Sequence, residues 1–178
     1  VHKSGFVNII GNPNVGKSTL MNALVGERLS IITSKAQTTR HRILGIVSGD
    51  DFQIVFSDTP GIIHPGYKLQ EAMMREVESA FEDADVLLFM VEAGENPNTS
   101  ELTDRIKGTG IPLILVINKI DTSDQPTLEI KVKAWKEIFP DADIIPVSAL
   151  LKANLDNLFA RILDKIPESP PYYEKDAL

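Results

Sequence analysis

The chain has 178 residues, 43% of them hydrophobic and 24% charged, with a net charge of −7. That is the make-up of one ordinary soluble domain, large enough to bury a core without staples. Cysteine is absent and only three histidines are present, which excludes disulfide scaffolds, thiol chemistry and Cys-built zinc sites and argues against a His-built metal site. The acidic balance argues against tight RNA or DNA binding by this segment itself. No apolar run approaches the ~18 residues of a membrane span, and no signal-peptide pattern opens the chain, so a cytoplasmic setting is expected.

Short apolar runs alternate with amphipathic helical periods, which predicts an α/β fold with a mainly parallel sheet. The first run, Phe6 to Ile10, leads into Gly11-Asn12-Pro13-Asn14-Val15-Gly16-Lys17-Ser18, a G-x-x-x-x-G-K-S string. A helical pattern from Ser18 and Thr19 to Val25 follows, closed by Gly26. This is the strand, loop and helix context of a phosphate-binding P-loop. Gly11 and Gly16 allow backbone N–H groups to approach phosphate oxygens, and the helix N-terminus adds unpaired donors. Lys17 is expected on the β- and γ-phosphates and the Ser18 hydroxyl on Mg²⁺.

Residues 34–42, Ser-Lys-Ala-Gln-Thr-Thr-Arg-His-Arg, show no apolar period and read as a loop. A threonine there, Thr39 or Thr38, can close over a nucleotide with its hydroxyl on Mg²⁺; spacing serves equally for a solvated connection. Strands are predicted at 42–48 and 52–57, joined by the hairpin-like Gly49-Asp50-Asp51, so one edge pair should be antiparallel. Next comes Asp58-Thr59-Pro60-Gly61. Alone it is a good turn. Behind a P-loop, Asp58 stands where a carboxylate holds Mg²⁺ through water, and Gly61 offers an N–H to a γ-phosphate.

Leu69, Met73, Val77, Ala80 and Phe81 share one helical face. The runs 86–91 and 112–117 are almost continuously apolar, as in strands buried on both faces. Directly after the second comes Asn118-Lys119-Ile120-Asp121. Guanine presents adjacent N1–H and N2–H₂ donors, which one carboxylate, Asp121, can accept together; adenine lacks that pair. Asn118 can bond the base or tie loops together, and the Lys119 stem can lie along the ring. A helical face Leu128, Val132, Trp135, Ile138 precedes a strand at 143–147. Ser148-Ala149-Leu150 follows it, where the Ala149 N–H can donate to guanine O6. The face Leu155, Leu158, Phe159, Ile162, Ile166 closes the domain. From Pro167 to Tyr173 the chain reads as an extended linker.

These elements in this order resemble the translation-factor-like class of GTPases. The wider strings, G-N-P-N-V-G-K-S-T-L and K-A-Q-T-T-R-H-R-I, are similar to the Era-like family, with the resemblance covering residues 4–168. It implies a P-loop three-layer α/β/α sandwich around a mostly parallel six-stranded sheet with one antiparallel edge strand. Residues 1–168 would form the GTPase domain. Residues 169–178 would begin a linker to a C-terminal RNA-binding KH domain, for which no room remains after Tyr173. The resemblance further implies a switch that hydrolyses GTP to GDP with Mg²⁺ and acts in small ribosomal subunit assembly through small-subunit ribosomal RNA. Weak peripheral membrane association and a monomeric fragment are also expected. Nucleotide contacts fall to Asn12, Pro13, Asn14, Val15, Gly16, Lys17, Ser18, Thr19, Asp58, Gly61, Asn118, Lys119, Asp121, Ser148, Ala149 and Leu150, with Thr39 as the switch threonine and Ser18, Thr39 and Asp58 serving the metal.

Catalysis is expected from Lys17, Thr39, Gly61 and Asn14. The position after Gly61, where many signalling GTPases carry a water-orienting glutamine, is Ile62, so intrinsic hydrolysis should be slow. Asn14 can ligate K⁺ beside the phosphates or simply suit a tight loop. Arg40, Arg42, His41 and His64 read as solvated loop residues. Two other classes fit part of the pattern: a P-loop phosphotransferase, which N-K-x-D disfavours, and a nucleotide-gated scaffold with negligible hydrolysis, which Ile62 favours.

Overall fold

The computed structural model describes residues 1–11, 15–26, 42–58, 78 and 81–172. Their elements run β1 (Lys3–Gly11), α1 (Lys17–Gly26), β2 (Arg42–Ser48), β3 (Phe52–Asp58), β4 (Val86–Glu92), α2 (Glu101–Gly108), β5 (Leu113–Asn118), a 3₁₀ turn (Ile120–Thr122), α3 (Gln125–Ile138), β6 (Asp143–Pro146) and α4 (Leu155–Lys165). The strands form one sheet in the order β2-β3-β1-β4-β5-β6. β2 runs antiparallel to β3, and every other pairing is parallel. The α/β fold with one antiparallel edge strand is therefore the expected one.

Side-chain alternation explains why the central strands read as unbroken apolar runs. Val86, Leu88 and Met90 of β4 join one core cluster, together with Ile114 and Val116 of β5. Leu87, Phe89 and Val91 join the other, together with Leu113, Leu115 and Ile117. The first cluster lies under α1 and α4, through Leu20, Leu24, Leu158 and Ile162. The second lies under α2 and α3, through Ile106, Leu128 and Trp135. The result is three layers, and each fully buried aliphatic side chain contributes about 1.5–3 kcal/mol. Phe89 makes edge contacts with Trp135 and Phe139, both at 6.2 Å between centroids, so the lone tryptophan is core.

The β2–β3 hairpin turns where expected. The Gly49 N–H donates to the Phe52 carbonyl at 2.9 Å, and a Cβ on Gly49 would lie 2.2 Å from the Phe52 ring, which a larger residue would have to displace. Helix α2 went unpredicted, because its buried face offers only Thr103 and Ile106 in eight residues. Its start is nonetheless written locally. The Ser100 N–H donates to Thr103 Oγ1 at 2.8 Å and the Thr103 N–H to Ser100 Oγ at 3.3 Å, a reciprocal capping box. Asp124 caps α3 by accepting from the Thr127 N–H at 2.8 Å. Bonding to the Thr127 side chain, then to its N–H, holds the Asp124 carboxyl below the usual carboxylate range.

The chain beyond α4, expected to run as an extended linker, lies against the sheet. Ser4 N–H donates to the Pro167 carbonyl at 3.1 Å and Ser169 N–H to the His2 carbonyl at 3.0 Å. Tyr172 N–H donates to Gln53 Oε1 at 2.8 Å, and its ring sits 4.9 Å from that of Phe6. Residues 167–172 thus strap the start of β1 to β3. Among the described residues, no helix is long and apolar enough to cross a membrane. The helical face expected from Leu69 to Ala80 lies outside the described residues.

Candidate functional site

Four parallel strands end at one edge of the sheet: β1 at Gly11, β3 at Asp58, β4 at Glu92 and β5 at Asn118. β1 lies between β3 and β4. The chain therefore leaves β1 to build the sheet first on one side and then on the other, and ligand crevices in α/β sheets form at such a reversal.

At this point Gly16 adopts φ +98°, and a Cβ there would lie 2.5 Å from Asn118 Nδ2. Both the backbone conformation and the close approach require glycine. The Leu20 N–H donates to the Gly16 carbonyl at 3.0 Å, opening α1. The N–H groups of its first turn have no intrahelical acceptor, and the dipole there favours anions. Ser18 and Thr19 are exposed on that turn. Lys17 Nζ reaches Asp58 Oδ1 at 3.4 Å across the β1–β3 edge, with the two side chains 12% and 10% exposed.

The other half of the site is built from the end of β5. Asn118 is 3% exposed. Its Nδ2 donates to the Val15 carbonyl at 2.9 Å, and its Oδ1 accepts from the Ala149 N–H at 3.0 Å. One amide thereby joins three loops distant in sequence. Tying loops together is one of the two roles expected of Asn118, the other being contact with a base. The Ala149 N–H, the group expected on guanine O6, donates to Asn118 Oδ1 in this structure. Asp121 remains exposed in the 3₁₀ turn, with Oδ1 accepting from the Ser148 hydroxyl at 2.9 Å. Ser148 is 1% exposed and also accepts from the Leu151 N–H at 3.1 Å, so it aims the carboxylate from a fixed position.

Lys119 takes φ +65°, a left-handed conformation unusual for a side-chain-bearing residue. Backbone bonds on either side hold it: Ala93 N–H to the Asn118 carbonyl at 2.9 Å and Ile120 N–H to the Val147 carbonyl at 3.2 Å. Its ammonium pairs with Glu92, a residue that no motif spacing singles out. Leu150, next in the chain after Ala149, is 74% exposed. Asn12, Pro13, Asn14, Thr39 and Gly61 lie outside the described residues.

Among the described residues, no cluster of three or more His, Cys, Asp or Glu side chains could hold a metal ion. The donors present, the Ser18 hydroxyl and the Asp58 carboxylate, are hard oxygen groups. They suit Mg²⁺, an ion that keeps several waters and takes phosphate oxygens rather than an all-protein cage.

A family model described as 50S ribosome-binding GTPase matches residues 6–119. The chain belongs to this GTPase family. The family is one of GTP-hydrolysing enzymes. The chain is 44% identical over 180 residues to GTPase Era of Clostridium kluyveri, an alignment covering 99% of this chain and 61% of that protein. Its structure is similar to that of Era in complex with MgGDPNP and nucleotides 1506–1542 of 16S ribosomal RNA, with a TM-score of 0.79, 40% identity, and coverage of 99% of this chain and 61% of that one. A point variant of Aquifex aeolicus Era bound to GDP·AlF₄⁻ gives a TM-score of 0.78 at 40% identity, covering 98% and 61%. The GTPase domain is thus Era-like, and the chain spans about three-fifths of the length of these relatives.

Proposed function

We propose that the chain is a guanine-nucleotide switch that binds GTP and hydrolyses it to GDP and phosphate with Mg²⁺. The observation carrying this reading is the Asn118 amide, which joins the P-loop at Val15 to the Ala149 loop at 2.9 and 3.0 Å and leaves Asp121 exposed beside it. A phosphate cradle and a purine-reading carboxylate are thereby held as one unit.

In this reading, N–H groups of Asn12, Pro13-flanking loop residues, Val15, Gly16, Lys17, Ser18 and Thr19 surround the phosphates. Lys17 exchanges Asp58 for the β- and γ-phosphates, with which it makes charge-assisted hydrogen bonds. Asp121 accepts from guanine N1–H and N2–H₂. The Lys119 stem covers the ring, and the 148–150 loop bounds it. Ser18 and Thr39 would hold Mg²⁺, with Asp58 serving it through water, and the ion would supply positive charge that neutralises the phosphates. Gly61 donates its N–H to the γ-phosphate. Ile62 cannot orient water, so the attacking water is positioned by backbone groups, a partner or a cation. Asn14 is the residue proposed to hold K⁺, which supplies the positive charge that an arginine finger supplies elsewhere.

For the full-length protein we propose action in small ribosomal subunit assembly through a KH domain following a linker near residue 169. The Era relative crystallised with 16S ribosomal RNA supports this. Cytoplasmic location, weak peripheral membrane association and a monomeric GTPase half complete the reading.

Single-turnover phosphate release from GTP with Mg²⁺ tests the enzymatic part. Slow cleavage is expected with GTP and none with ATP, faster in potassium than in sodium. Asn14→Ala should erase the potassium preference. No cleavage under any salt supports a nucleotide-gated scaffold instead, and equal rates in the two cations discard the role of Asn14.

A further inference from the structure

We infer that Glu92 is a positioning residue for guanine binding, acting by anchoring the Lys119 side chain over the base. The inference rests on reading residues 118–121 as the guanine-recognition loop. Glu92 ends β4 directly beside Asn118 in the β4–β5 register. Its carboxylate pairs with the Lys119 ammonium, the two side chains being 34% and 42% exposed.

Glu92 itself is held in place. Its N–H donates to Glu95 Oε2 at 2.7 Å, and the Glu95 N–H returns to the Glu92 carbonyl at 3.0 Å, closing a tight turn. The next residue, Ala93, donates its N–H to the Asn118 carbonyl and accepts from Lys131 of α3 at its own carbonyl. The turn 92–95 is therefore pinned to the end of β5 and to α3, and it presents a carboxylate at a fixed place.

A lysine stem on a purine face must be ordered over four methylenes, and a partly exposed lysine loses much rotamer freedom when it is. An ammonium already anchored beyond the stem has lost that freedom before the nucleotide arrives, which is preorganisation. The effect should appear in affinity alone. Choice of base belongs to Asp121, whose Ser148 bond does not involve Glu92.

Calorimetry with GDP and Mg²⁺ on the purified chain tests this. Glu92→Gln is expected to bind GDP about two- to fivefold more weakly, the range for a half-exposed ion pair. The deficit should shrink in high salt, and the GDP-to-ADP ratio should stay as in the wild type. Lys119→Met keeps an apolar stem without the charge and should show a similar loss. Adding Glu92→Gln to it should then cost nothing further, since the partner is gone. Wild-type affinity in Glu92→Gln at low salt overturns the inference, and so does an equal loss from Glu92→Gln with and without the Lys119 charge. A wild-type chain that binds no GDP overturns the guanine-site reading as well, which separates the two failures.

Discussion

Gly16→Ala is expected to weaken GDP binding by about 10²- to 10³-fold while leaving the sheet folded. Two costs combine at this position. The φ of +98° is strained for any residue with a Cβ, at roughly 1–2 kcal/mol. The added methyl would also sit 2.5 Å from Asn118 Nδ2, so the amide must move. Asn118 is 3% exposed and bonds both Val15 and Ala149, and leaving a buried polar group unpaired costs about 1–3 kcal/mol. The cradle and the base loop should therefore come apart together. Thermal unfolding alongside calorimetry separates lost affinity from lost fold. A variant that binds GDP within about threefold of wild type would show that Asn118 shifts freely and does not hold the two halves in register.

Asp121→Asn is the second large effect, and its direction follows from Ser148. The buried Ser148 hydroxyl donates to Asp121 Oδ1, and the same bond in the variant keeps the amide oxygen turned inward. The amide nitrogen then takes the place of the other oxygen and presents N–H donors to the site. Guanine offers donors there too, so two charge-assisted bonds are replaced by an opposition. GDP affinity should fall by about 10²- to 10⁴-fold. Xanthosine diphosphate carries a carbonyl at position 2, which accepts from that amide, and should bind the variant better than it binds the wild type. Nucleotide competition on both forms checks this, and unchanged selectivity would remove Asp121 from base reading.

The sheet was legible because its strands announce themselves by residue type. β4 and β5 are apolar on both faces since each feeds two cores, and the expected 86–91 and 112–117 differ from Val86–Glu92 and Leu113–Asn118 only at their ends. β2 and β3 were betrayed by the glycine turn between them. Helix α2 was invisible to periodicity because only Thr103 and Ile106 of it are buried, and Ser100 with Thr103 was the signal available. The strap of residues 167–172 was read as a linker because its contacts, Tyr172 with Gln53 and Phe6, span more than a hundred residues of sequence.

The site divides in the same way. Lys17, Asp58, Asn118 and Asp121 come from local strings whose chemistry is readable one motif at a time. Their mutual supports are not. That the Asn118 amide spans Val15 and Ala149, that Ser148 aims Asp121, and that Glu92 meets Lys119 all follow from strand order. β5 lies next to β4, one strand from β1, and only the assembled sheet brings those loop ends together.

Calorimetry of the wild-type chain with GDP and with ADP, each with Mg²⁺, tests the central claim most directly. Guanine recognition through the carboxylate of Asp121, coupled by Asn118 to the phosphate cradle, predicts GDP binding at least about 100-fold tighter than ADP. Equal affinity for the two nucleotides, or no heat with either, would contradict it.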